Sequence, residues 1–186
     1  MKNLGNPYTV SNLLSFIRLL MAVPFWIMLN DSTPGPYNYV VLLVLLAVIT
    51  DVMDGYLARK FNQISEWGKI VDPLADKVCI GAIVIQLFLH GRLIAPVFYV
   101  LILRDVIIFI AGIFVTKKIG MVLPSNYLGK GTVMVIGFYI IFLLLDLTKH
   151  HHLINTLFIY AIVALSGASL IGYGMRAFEA IKGKTE

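Results

Sequence analysis

Six apolar runs, each close to the length of a membrane-spanning helix, fill most of this 186-residue chain. A helix that crosses a bilayer needs about 20 predominantly apolar residues. The runs are Asn12 to Leu29, Tyr37 to Lys60, a third beginning near Gly68 or Pro73 and ending at His90-Gly91, Leu93 to Thr116, Tyr127 to Leu147, and Leu153 to Phe178. Turn-forming residues separate them, most densely in Asn30-Asp31-Ser32-Thr33-Pro34-Gly35-Pro36. Lipid offers the backbone no hydrogen bonds, so such runs are expected as helices. The expected fold is therefore all-α: an integral membrane protein, a six-transmembrane-helix bundle, one domain over residues 1–186. Composition agrees, with 59% hydrophobic and 13% charged residues and mean hydropathy +0.88, where a soluble domain is nearer one-half and one-quarter. No small-residue cleavage site follows the first run, so it reads as a retained span rather than a signal peptide.

Charge orients the bundle. With the N-terminus inside, twelve Lys and Arg residues fall on the cytoplasmic side and only two, Arg92 and Lys149, outside, while Arg104 lies mid-helix. That bias places both termini and the segment from Arg59 to Val71 in the cytoplasm. The net charge of +5 is spread over helix ends and forms no aromatic-interleaved patch, so membrane lipids are expected partners and nucleic acid is not. Cys79 is the only cysteine, which excludes an intramolecular disulfide and suits a small packing side chain.

The second and third runs carry the chemistry. They read Asp51-Val-Met-Asp54-Gly55-Tyr-Leu-Ala58-Arg59, eight further residues, then Gly68-Lys-Ile-Val-Asp72-Pro-Leu-Ala-Asp76. Carboxylates at the ends of apolar helices are costly unless paired, hydrated or bound to a cation. Spacings of three (Asp51, Asp54) and four (Asp72, Asp76) put each pair on one helix face. A short connection would make the two helices neighbours and let four oxygen donors converge. Two hard divalent cations would neutralise them and bridge a pyrophosphate. Small residues at 55, 58 and 68 would let a polar ligand approach the backbone. Blander roles exist: Asp72-Pro73 could cap a helix, worth about 1 kcal/mol. Asp51 or Asp54 could pair with Arg18 or Arg59, and Arg59-Lys60 could be an anchor. Those roles leave Asp76, the glycines and the spacing unexplained.

This stretch resembles the signature of the CDP-alcohol phosphatidyltransferase family, D-x2-D-G-x2-A-R-x8-G-x3-D-x3-D, at every fixed position. The resemblance implies metal-dependent transfer of a phosphatidyl group from CDP-diacylglycerol to an alcohol, with release of CMP. It implies Asp51, Asp54, Asp72 and Asp76 as ligands of Mg2+ or Mn2+, two ions in all. Asp76 would also act as general base, and Gly55, Ala58, Arg59 and Gly68 would bind the nucleotide. It further implies a cytoplasmic-facing active site in a bacterial inner membrane and a homodimer.

The acceptor is less sharply written. Asn12-Leu-Leu-Ser15-Phe-Ile-Arg18 resembles the N-terminal segment of bacterial phosphatidylglycerophosphate synthases, whereas Leu103-Arg104-Asp105-Val106 looks more like CDP-lipid-dependent cardiolipin synthases. A cation in mid-helix needs an anion. Arg104, with Lys130 in Gly129-Lys130-Gly131-Thr132, is expected to bind a phosphate-bearing alcohol acceptor, glycerol 3-phosphate ahead of phosphatidylglycerol. Arg104 could instead pair with Asp105. Intramembrane prenyltransferases place their aspartate motifs on well-separated helices, and a divalent-metal transporter would not need Gly55, Ala58, Arg59 and Gly68. His150-His151-His152 reads as an interfacial turn rather than a metal site.

Overall fold

The computed structural model describes residues 10–30, 37–60, 68–119 and 127–182, with side chains at 10–12, 14, 51, 52, 54–60, 68–74, 117 and 119 excepted. Among the described residues the chain is all-helical: α1 (Val10–Leu29), α2 (Asn38–Lys60), α3 (Gly68–Leu89), α4 (Ala95–Ile119), α5 (Tyr127–Leu144) and α6 (His152–Lys182), with a 3-10 turn at Leu147–Lys149. These are the six expected runs, shifted by a few residues at their ends. The expected turn at 31–36, the 61–67 connection and the terminal segments lie outside the described residues.

The shifts have local causes. α5 stops three residues early, where Asp146 takes a left-handed backbone (φ 55°) that aspartate tolerates better than most residues. The Leu147 carbonyl then accepts from the amides of His150 and His151, and the His151 carbonyl receives Asn155 inside α6. α6 runs past Phe178 because Glu179 to Lys182 are good helix formers, and Lys182 faces the negative end of the dipole. α3 ends as the sequence suggests: Gly91 (φ 66°) reverses the chain, Gly91 N–H donates to Phe88 O, and Arg92 N–H donates to Leu87 O. This pair of bonds is a Schellman cap.

Among the described residues three helices are long and apolar enough to cross a membrane: Ala95–Thr116 within α4, Tyr127–Leu144, and His152–Lys182. Ser15–Leu29 and Asn38–Thr50 are shorter apolar segments. Large apolar side chains such as Phe16, Ile27, Phe109, Phe114, Leu157 and Phe178 are exposed, while Ser15, Arg18, Gln86, Arg104, Thr132, Ser166 and Ser169 are buried. Polar groups inward and apolar groups outward is the arrangement lipid favours, since a polar side chain in hydrocarbon must find its partners within the protein.

The described contacts group into two compact units, Met1–Arg92 with Leu144–Asp146, and Leu93–Leu143 with Leu147–Glu186. In the first, α1 packs on both α3 and α2. Ala75, Cys79, Ile83 and Leu87 of α3 recur every four residues and form its buried stripe, and Phe25 and Leu29 of α1 are buried too. Arg18 meets Asp76, and the Trp26 carbonyl accepts from Gln86 Nε2 at 3.2 Å. Both positions advance together, so α1 and α3 run parallel. At the far end of α3, Arg92 lies 4.3 Å over the Tyr37 ring and 3.8 Å from Asp146, and Tyr37 N–H donates to Leu144 O.

In the second unit α4 packs on α6. Arg104 reaches Ser169, and a Cβ at Gly112 would meet Tyr173 Oη at 3.3 Å, so these helices are also parallel. α5 runs antiparallel to α6, since Thr132 donates to the Leu165 carbonyl and Tyr139 to Asn155 Oδ1. The rings of Tyr139, Phe142 and Phe158 pack together below them.

Candidate active site

The signature residues occupy the last ten positions of α2 and the first nine of α3. α2 stays helical through Lys60, so Asp51, Asp54, Gly55, Ala58 and Arg59 share one helix. α3 starts at Gly68, five residues before Pro73, and this settles one alternative: Asp72 stands within the helix and does not cap its start. Asp72 and Asp76 are therefore separated by one turn of continuous helix. Side chains of Asp51, Asp54, Gly55, Ala58, Arg59, Gly68 and Asp72 lie outside the described residues, and Asp76 carries the site's visible chemistry.

Asp76 sits beside buried Ala75 at the edge of the α3 stripe, with its side chain 43% exposed. Arg18 of α1, only 3% exposed, donates from Nη1 to Asp76 Oδ1 at 2.6 Å. Cys79, one turn further along α3, donates from Sγ to the Arg18 carbonyl oxygen. Burial of Cys79 agrees with a packing role; its bond to α1 was not foreseen. Sequence reasoning offered Asp51 or Asp54 to Arg18. Among the described residues Asp76 meets Arg18, while the side chains of Asp51 and Asp54 lie outside them. A contact between α1 and α3 is not written in the spacing within one segment.

A carboxylate donor set suits a hard divalent cation, which takes oxygen ligands. Asp76 fits: its carboxylate accepts from Arg18 at Oδ1, and its side chain is 43% exposed. Among the described residues no group of three or more metal-ligating side chains occurs, with Asp51, Asp54 and Asp72 outside that description.

In the second unit, Arg104 is buried in mid-α4. Its Nη1 donates to Asp105 Oδ1 at 2.8 Å, the pairing offered as the structural alternative. Nη2 makes two long contacts of 3.5 Å, to the Gly129 carbonyl and to Ser169 Oγ. Nε has no hydrogen-bond partner among the described residues, nor has the buried Ser166 Oγ. Guanidinium has five N–H donors in a planar fork, so Arg104 keeps donor capacity after meeting Asp105. Lys130 follows Gly129 in the first turn of α5 and is exposed. Ser166 and Ser169, three apart on α6, were not singled out from the sequence; serines in a long apolar run carry no distinctive spacing.

The family model for CDP-alcohol phosphatidyltransferase matches residues 8–168, which include the whole signature, Arg18, Arg104 and Lys130. The chain belongs to this family. It is 32% identical over 179 residues to the CDP-diacylglycerol–glycerol-3-phosphate 3-phosphatidyltransferase of Aquifex aeolicus, covering 92% of this chain and 97% of that one. The Bacillus subtilis protein of the same name is 34% identical over 137 residues, 70% of each chain. Rat cardiolipin synthase (CMP-forming) is 38% identical over 114 residues, 60% of this chain and 36% of the rat protein.

Proposed function

We propose that the chain transfers a phosphatidyl group from CDP-diacylglycerol to glycerol 3-phosphate and releases CMP. The observation that carries this is the unbroken signature from Asp51 to Asp76 in a chain that aligns nearly end to end with the Aquifex glycerol-3-phosphate enzyme. In this reading residues 1–186 work as one domain, a homodimer of six-span bundles in a bacterial inner membrane, with both termini and the active site toward the cytoplasm. Support comes from the twelve-to-two charge count and from the helix directions within each unit, α1 parallel to α3, and α4 parallel to α6 with α5 antiparallel to α6.

Asp51, Asp54, Asp72 and Asp76 would hold two Mg2+ or Mn2+ ions. Bound there, such ions supply positive charge that spreads the charge developing on the phosphate oxygens. Arg59 donates to a phosphate oxygen, and Gly55, Ala58 and Gly68 leave room for the nucleotide against the backbone. Arg104 and Lys130 receive the acceptor's phosphate, and the donor capacity that Asp105 leaves on Arg104 supports that role. Asp76 takes the acceptor's hydroxyl proton as its oxygen bonds to phosphorus. The phosphorus–oxygen bond to CMP breaks, and CMP leaves with the electron pair.

A second acceptor, phosphatidylglycerol, is favoured by the Leu103-Arg104-Asp105-Val106 stretch and by the likeness to rat cardiolipin synthase. Purified protein given CDP-diacylglycerol with each acceptor separates the readings. Phosphatidylglycerophosphate as the product supports the first, and cardiolipin alone replaces it with the second. CMP release should stop with EDTA and return with Mg2+; release that survives chelation removes the metal from the reading.

A further inference from the structure

Arg18 lies eight residues into α1, in an apolar run, and is almost wholly withdrawn from solvent. A guanidinium in such a place is costly unless an anion meets it. Asp76 meets it at 2.6 Å, across 58 residues of sequence. The contact is held at two points. Cys79 ties the Arg18 carbonyl to α3, so the main chain and the side chain of one residue are both fixed to the helix that carries Asp76. Ala75, fully buried beside Asp76, adds little bulk between the helices. Arg18 donates to Oδ1, and the Asp76 side chain remains 43% exposed.

We propose that Arg18 is a positioning residue of the active site, holding the Asp76 carboxylate in the orientation that serves the divalent cation. It stands outside the Asp51 to Asp76 signature, on a helix to which no role was assigned. The inference rests on the function proposed above. An aspartate side chain rotates about two bonds, and a site holds its ligand well only when a neighbour has already removed that freedom. Groups that orient metal ligands in this way matter almost as much as the ligands, and their loss typically weakens metal binding about 10–100-fold.

The test uses Mn2+ alone as probe, with its binding to the purified full-length protein in detergent counted by electron paramagnetic resonance. Arg18→Gln should bind Mn2+ about 10–100-fold more weakly, with the KM for CDP-diacylglycerol little changed. Arg18→Lys should fall between, since a point charge cannot reproduce a planar fork. The double variant Arg18→Gln/Asp76→Asn should be no weaker than Asp76→Asn alone, because Arg18 acts through that carboxylate. Unchanged or tighter Mn2+ binding in Arg18→Gln, or losses that add in the double variant, would overturn the proposal. Should Arg18→Gln fail to fold, Arg18→Lys decides: several-fold weaker Mn2+ with unchanged helicity supports it, and wild-type affinity overturns it. A wild-type protein that neither binds Mn2+ nor releases CMP overturns the function itself, before any variant is compared.

Discussion

A carboxylate that binds a cation or takes a proton cannot hand either duty to an amide of the same shape. Asp51→Asn, Asp54→Asn, Asp72→Asn and Asp76→Asn should therefore each lose most CMP release while still inserting in the membrane. Residues that act as a unit give severe, non-additive losses, so a pair of these substitutions should be little worse than one. Near-normal turnover in any one, measured at saturating Mg2+, would remove that residue from the site. Arg104→Gln and Lys130→Gln should instead raise the acceptor's KM and spare that of CDP-diacylglycerol. A lost charge-assisted contact to phosphate costs about 1.5–3 kcal/mol, or roughly ten- to a hundredfold in acceptor kcat/KM. Equal loss toward both substrates would return these residues to a structural role. The aspartates stand out in the sequence because a helix turns their spacing into a shared face. The Arg18–Asp76 pair does not, because the two residues lie on different helices and spacing within one run does not say which helices pack.

Helix ends were legible wherever the sequence places a residue whose backbone preference ends a helix. Gly91 is the plainest case: its left-handed φ and the two amide bonds around it close α3 where the His90-Gly91 pair suggests. An L-residue in that conformation costs about 1–2 kcal/mol. Gly91→Ala should lower stability in detergent by about that amount, read as an earlier thermal midpoint, with little change in the KM of either substrate. An unchanged midpoint would mean that the cap contributes nothing to stability. Less legible was the start of α3, where Asp72-Pro73 reads as a cap although the helix begins at Gly68. Pairing was hidden too. Apolar runs facing lipid look alike, and which of them pack is decided by small and polar groups such as Gly112 against Tyr173 and Thr132 against Leu165.

For the whole molecule, the charge count makes a prediction that neither residues nor helices make alone. Single cysteines at Gln63 and Lys184, in a Cys79→Ser background, should resist impermeant thiol reagents in intact cells, and one at Ser32 should react. The opposite pattern would invert the proposed orientation and move the active site outside. The long reach of the Arg18–Asp76 pair also bears on how such a chain enters the membrane during synthesis. At about 5–20 residues per second, the ribosome needs several seconds to add the stretch between them. In the six-span arrangement, Arg18 enters lipid within α1 before its counter-charge has been made. In the proposed orientation it lies toward the cytoplasmic end of α1, and its long stem would let the charged group reach headgroup phosphates meanwhile. When α3 arrives, the arginine would exchange a lipid phosphate for a protein carboxylate. On the proposed roles the first helix would join the catalytic unit at the step when the aspartates do, so a nascent chain stalled between α2 and α3 would hold an unassembled site.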